Sequence, residues 1–181
     1  MKNLQALFDI FNDGISKSVK TISYPHHEIH DSRGFIVVYS ALKDNAGAIE
    51  VRIRPNHATR KCHMVIHIEA ALAATIQLWS ETTKTYVLAN NIEPVNRNFS
   101  NAKDSILSVC HTPAGAQAGT ADFIQYIGSA TANGKSDIGG GTTSRGEFIL
   151  NPFTDYLITV TSRANSNALT ILLDWYEHID N

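Results

Sequence analysis

A two-residue alternation of apolar and polar side chains recurs along most of this chain and closes it, in the stretch from Ala168 through Leu169, Thr170, Ile171, Leu172, Leu173, Asp174, Trp175, Tyr176 and Glu177 to His178. Successive side chains of a strand point to opposite faces. Leu169, Ile171, Leu173 and Trp175 therefore share one side, while Thr170, Leu172, Asp174 and Tyr176 share the other. A strand this apolar that runs almost to the last residue has to dock against earlier strands, because an isolated terminal strand leaves its backbone groups unpaired. The chain is expected to close a sheet with its tail.

The same period recurs upstream. Phe35 to Leu42 is an apolar run rich in β-branched and aromatic residues, and Ala48 to Arg54 sets Ile49, Val51 and Ile53 against Glu50, Arg52 and Arg54. Cys62, Met64, Ile66 and Ile68 alternate with His63, Val65, His67 and Glu69, and further strands are predicted over 75–81, 105–112, 123–127 and 155–163. The polar loop Lys43-Asp44-Asn45-Ala46-Gly47 predicts a hairpin between the first two runs. Ala164-Asn165-Ser166-Asn167 predicts a second one, joining the last two strands. The stretch Gly128 to Thr143, with Gly139-Gly140-Gly141, lacks the Gly-Lys-Ser/Thr ending and flanking elements of a phosphate loop and reads as a surface loop. About nine or ten strands, with turn signals between them and no helical period among them, predict an all-β antiparallel domain over 23–181. A β-sandwich, jelly-roll-like, is the architecture expected.

Residues 1–22 follow a different rule. Leu4, Phe8, Phe11, Ile15, Val19 and Ile22 recur at the steps of an amphipathic helix, with Asn12-Asp13-Gly14 either tolerated inside it or turning between two shorter segments. Such an N-terminal helical arm either packs on its own domain or lays its apolar stripe on a partner.

Candidate chemistry is sparse. Tyr24 to Asp31 reads as extended, which puts His26, Glu28 and His30 on one side. Zinc would need a further converging ligand, so His26 and His30 read as surface or interface histidines. His63 and His67 share a strand face, and by strand rise they lie about 13 Å apart, too far to chelate one ion. No Gly-x-Ser-x-Gly motif, cysteine–histidine pair or distinctive acidic pair is evident, so no catalytic, cofactor or metal residue is assigned and no enzyme is expected. Cys62 and Cys110 sit in apolar runs and read as small buried residues, although a disulfide between them is possible. Fifteen basic and seventeen acidic side chains give a formal charge of −2, which offers no pull toward nucleic acid. The start of the chain lacks a secretory pattern and no apolar run approaches about 18 residues, so synthesis and folding in a cytoplasm, with no membrane partner, are expected.

Several blocks, namely Pro25-His26-His27-Glu28-Ile29-His30-Asp31, Arg54-Pro55-Asn56 on to His63-Met64, Pro94-Val95-Asn96-Arg97-Asn98, Gly146-Glu147-Phe148-Ile149-Leu150 and Leu173-Asp174-Trp175-Tyr176-Glu177-His178, resemble the β-rich decoration or cement proteins of tailed-phage heads. The resemblance spans roughly residues 24 to 178 and contains no catalytic signature. It implies a non-enzymatic virion protein, often trimeric, seated on the exterior of an icosahedral capsid with the major capsid protein as partner. The arm would then anchor the subunit, through Leu4, Phe8, Phe11, Ile15, Val19 and Ile22 together with His26 and His30. A different class of function, a carbohydrate-binding sandwich, would use Trp79, Tyr86 or Tyr126 as sugar platforms. A metal-dependent hydrolase would rest on His26, Glu28 and His30.

Overall fold

The computed structural model describes residues 24–128, 136–138 and 147–179. The predicted arm, with Leu4, Phe8, Phe11, Ile15, Val19 and Ile22, lies outside the described residues. The alternating segments form β1 (Gly34–Lys43), β2 (Ala48–Pro55), β3 (Arg60–Ala70), β4 (Ala74–Ser80), β5 (Val95–Asn96), β6 (Leu107–His111), β7 (Phe123–Ile127), β8 (Ser136–Ile138), β9 (Glu147–Leu150), β10 (Tyr156–Ser162) and β11 (Asn167–Ile179). A short helix, α1 (Tyr24–His30), precedes them, and a 3-10 turn covers Leu88–Asn90.

The strands divide into two antiparallel sheets. One has the order β5-β1-β11-β3-β8, with β9 also paired to β3, and the other the order β6-β2-β10-β4-β7. Setting β1, β11, β3 and β8/β9 against β2, β10, β4 and β7 produces the two-sheet order of a jelly roll. One apolar cluster takes side chains from both sheets, among them Phe35, Met64, Leu169, Ile171, Leu173 and Trp175 from the first and Ile49, Val51, Ile53, Ile158 and Val160 from the second. The all-β sandwich expectation holds.

The C-terminal strand holds the centre. β11 pairs with β1 from Gly34↔Tyr176 to Lys43↔Asn167, and with β3 from Arg60↔Ile179 to Ala70↔Leu169. Leu169, Ile171, Leu173 and Trp175 are all buried, and Trp175 stacks on Phe35 with ring centroids 5.7 Å apart. The sequence period sets this pattern, since every second side chain of a two-sided strand enters the core.

Both predicted hairpins are corrected. β1 pairs with β11 and β5, β2 with β10 and β6, and β10 with β4 and β2, so neither β1 with β2 nor β10 with β11 forms a hairpin. Each of those polar loops instead carries the chain from one sheet to the other. The loops are stitched together across the sandwich: Ala46 N donates to Ser162 O at 2.9 Å, Ser162 N to Gly47 O at 2.8 Å, and Ser166 N to Asp44 Oδ1 at 3.0 Å. Part of the presumed glycine-rich loop is also ordered, as β8, through pairing with Ile68, Glu69 and Ala70.

The extended reading of Tyr24–Asp31 is likewise replaced by α1. Pro25 near the start suits a helix, where its missing N–H costs nothing. The helix packs on β1 and β11, and it does so closely: a Cβ at Gly34 would come within 2.6 Å of Ile29 Cγ1.

Truncating the central plug should be costly. Trp175→Ala is expected to lower unfolding free energy by about 3–5 kcal/mol, whereas Leu42→Ala on the exposed face should change it by less than about 0.5 kcal/mol. Denaturant titration of both variants checks this, and equal midpoints would contradict the assigned burial.

Candidate functional site

The inward face of β11 ends on a carboxylate. Glu177 continues the series Leu169, Ile171, Leu173, Trp175 and is fully buried. Its Oε1 accepts hydrogen bonds from Ser105 Oγ at 2.6 Å, Ile106 N at 3.0 Å and Trp175 Nε1 at 3.2 Å, and Arg60 Nη1 stands 3.5 Å from Oε2. A buried carboxylate held by several donors and a cation fixes everything it touches. Here it ties the end of β11 to the approach of β6 and thus one sheet to the other. Cys62 lies opposite Glu177 in the register, and burial, then the Glu177 charge, push its thiol well above the ordinary range, with Arg60 opposing. Cys62 and Cys110 are both free and buried, so no disulfide joins them in this structure.

A second buried carboxylate closes the same end from outside. Glu28 of α1 receives Arg33 Nη1 at 3.2 Å, and Arg33 also reaches Asp31 at 3.6 Å. Beside it, Asn96 Nδ2 donates to Ser32 O and Lys103 O, and Asn98 Nδ2 donates to His30 O and Ser32 Oγ. In a helix, positions 26 and 30 lie on one face while position 28 lies about 200° away, so the expected single face of His26, Glu28 and His30 is not formed. His30 is exposed and Glu28 is sequestered by Arg33. No group of three or more metal-ligating side chains occurs among the described residues.

The outer face of the six-stranded sheet is a surface of mixed chemistry. Register places Val95, Ile36, Asp174, Val65 and Glu147 in one row, and Val38, Leu172 and His67 in the next. Several aliphatic side chains stand open here: Val38 at 52%, Leu42 at 67%, Val95 at 48% and Ile149 at 57% exposure. At the α1 end the surface turns aromatic. His63 stacks on Tyr176 at 4.9 Å between centroids, His178 sits 4.4 Å from His63, and Glu147 Oε1 meets His63 Nδ1 at 3.0 Å. Arg97 Nη1 bridges both oxygens of Asp174, at 2.8 and 3.0 Å. The rings use their faces on one another, which makes a packed patch instead of an open acid–base pair.

The outer face of the five-stranded sheet is different, because the chain covers it. Lys84 Nζ donates to Glu50 Oε2 at 2.6 Å, Arg52 Nη2 to Asp155 Oδ1 at 2.5 Å, and the Tyr86 ring lies 5.8 Å from the Arg52 guanidinium carbon. Thr85 bridges Ala114, and Asn91 bridges Cys110. Leu157 and Trp79 are buried at this face without joining the central cluster. Trp79 is therefore no sugar platform, and Tyr86 is half-buried with its hydroxyl on Asn91. Of the three aromatics expected to present such a surface, only Tyr126 is exposed.

Glu177, Arg60 and Ser105 went unseen in the sequence, although Glu177 falls on the apolar phase of β11, and a charge in that phase is the signal of a buried partner network. Neither a protein-family model nor a curated protein matches the chain.

Two measurements probe this end of the sandwich. Glu177→Ala should destabilise by about 3 kcal/mol, through loss of the Arg60 pair and orphaned donors, and Glu177→Gln by about 1 kcal/mol because an acceptor remains; calorimetry showing the two variants equal would remove the network's role. A thiol reagent at neutral pH should label neither cysteine in the native protein and both after unfolding, with mass spectrometry as the readout.

Proposed function

We propose that this chain is a non-enzymatic virion structural protein that binds the exterior of an icosahedral phage shell and stabilises it, as a decoration or cement subunit. The observation that carries the reading is the difference between the two outer faces. One is roofed by the chain's own residues 82–91, while the other presents Val38, Leu42, Val95 and Ile149 to solvent on a six-stranded sheet. A sheet face with several exposed aliphatics suits a protein surface, and the near-balanced charge of the chain offers little to nucleic acid.

Further support comes from where the blocks resembling phage decoration proteins lie. Pro25–Asp31 in and beyond α1, Pro94–Asn98 at β5, His63 and Met64 on β3, Glu147–Leu150 on β9 and Leu173–His178 on β11 lie on or beside the six-stranded sheet, while Arg54-Pro55-Asn56 lies at the end of β2 in the other sheet. Segments far apart in sequence thus meet on one sheet, where His63, Ile149, Asp174 and Tyr176 belong to its outer face. Binding an assembled shell and not its dissociated subunits shifts the assembly equilibrium toward the shell by mass action. Each half-exposed aliphatic would contribute about 1 kcal/mol when covered, and the apolar stripe of residues 1–22 would add anchorage to the major capsid protein or to neighbouring copies. Repetition over an icosahedral surface multiplies modest contacts through avidity.

The test is reconstitution on particles purified after deletion of the gene. Wild-type protein should cosediment saturably and raise the temperature at which the particles release their genome. Val38→Glu with Leu42→Glu, a pair on the exposed face that leaves the core untouched, should weaken cosedimentation at least tenfold. Absence of wild-type binding, or binding indifferent to both glutamates, would refute the reading.

A further inference from the structure

β7 is an edge strand. Among the described residues its one strand neighbour is β4, so the other side of Phe123-Ile124-Gln125-Tyr126-Ile127 carries backbone donors and acceptors with no strand beside them. Natural sheets protect such edges with lysine, proline, bulges or short length. This one contains no charge and no proline, and Phe123, Ile124 and Tyr126 are 44%, 47% and 68% exposed. Open backbone of this kind is completed by another extended backbone, which narrows the partner to a strand.

We propose that the partner is β7 of a second copy, paired antiparallel about a two-fold axis through Gln125. In that register Ile124 faces Tyr126 of the partner subunit, Phe123 faces Ile127 of the partner subunit, and the two copies of Gln125 face each other. The strand is self-complementary in chemistry as well as direction, since β-branched and aromatic side chains opposite one another are favoured cross-strand pairs. Isologous pairing of this kind closes on itself as a dimer and does not propagate into fibres.

Charge complementarity supports the same register. The Arg163 guanidinium carbon sits 5.3 Å from the centre of the Tyr126 ring. Asp122, at the opposite end of the strand, is oriented by Ser80, whose N and Oγ reach its Oδ2 at 2.5 and 2.8 Å. In the antiparallel register the Arg163 end of one copy lies alongside the Asp122 end of the partner, twice by symmetry, so opposite charges flank each end of the strand pair. The pairing concerns copies of this chain alone and stands apart from the shell reading. It also differs from the three-fold association that the phage-protein resemblance implies.

Sedimentation equilibrium of the full chain, at concentrations up to about 200 μM, tests it, because a five-residue strand pair falls at the weak end of interface sizes. Wild type should show a concentration-dependent dimer. Ile124→Lys should raise Kd at least tenfold and Arg163→Glu a few-fold, both with unfolding curves like wild type. Gln125→Cys supplies a readout independent of affinity, since cysteines facing each other across the axis fall within disulfide range and should form a covalent dimer under mild oxidation. A wild-type monomer throughout, a trimer untouched by Ile124→Lys, or no crosslink at position 125 would each overturn the proposal.

Discussion

The rest of the molecule depends on β11 being a central strand. It lies between β1 and β3 along nearly its whole length, so the sheet has no continuous middle until the last residues of the chain are in place. The contact Gly34↔Tyr176 joins the first strand to the last, and such distant pairings carry a loop-closure cost before their hydrogen bonds return anything. Stability must therefore come from what β11 buries. The Trp175–Phe35 stack and the row Leu169, Ile171 and Leu173 against the opposite sheet supply it.

The polar end of β11 does a different job. Hydrophobic burial is non-directional, and the core alone would tolerate some sliding of the two sheets. Glu177 removes that freedom, because Ser105, Ile106, Trp175 and Arg60 satisfy it in one arrangement only. Outside it, Arg33 and Glu28 fasten α1, and Asn96 and Asn98 fasten the loop that carries β5. This end thus gathers two buried carboxylates and two side-chain amides, next to the His63, Tyr176 and His178 patch. A rigid end beside an open aliphatic face fits the proposed docking, since little side-chain freedom remains to be lost on contact.

Self-association through β7 and docking through the six-stranded sheet would use separate parts of the sandwich. β7 belongs to the roofed sheet, and Val38 and Leu42 belong to the open one. Two copies joined edge to edge could each keep an open face available. Association of copies would then raise the effective concentration of those faces at a shell without competing for them.

Much of the fold was legible in the sequence, because strand faces obey a local rule. The alternation at Ile49, Val51 and Ile53, at Cys62, Met64 and Ile68, and at Leu169 through Trp175 named the core side of each strand correctly. The open aliphatic face was less legible: Val38 and Leu42 look like any apolar residues of a strand until the sheet is assembled and nothing described covers them. Trp79 shows the converse, an outward position in sequence that the segment around Lys84 and Tyr86 turns into a buried one. Helix α1 was missed because His26, Glu28 and His30 follow the two-residue period while a span of seven residues is too short to display a helical one, and its packing on β1 and β11 decides between them. Partner choice was the deepest loss. The loops at 43–47 and 164–167 look like hairpin turns, yet each crosses between sheets, since a strand's hydrogen bonds fit any neighbour with a matching pleat. The sequence by itself determined which residues face inward, through side-chain geometry that acts over two residues; the tertiary structure alone decided which strands are neighbours, because that choice is made by one shared core and by Glu177 acting across the whole chain.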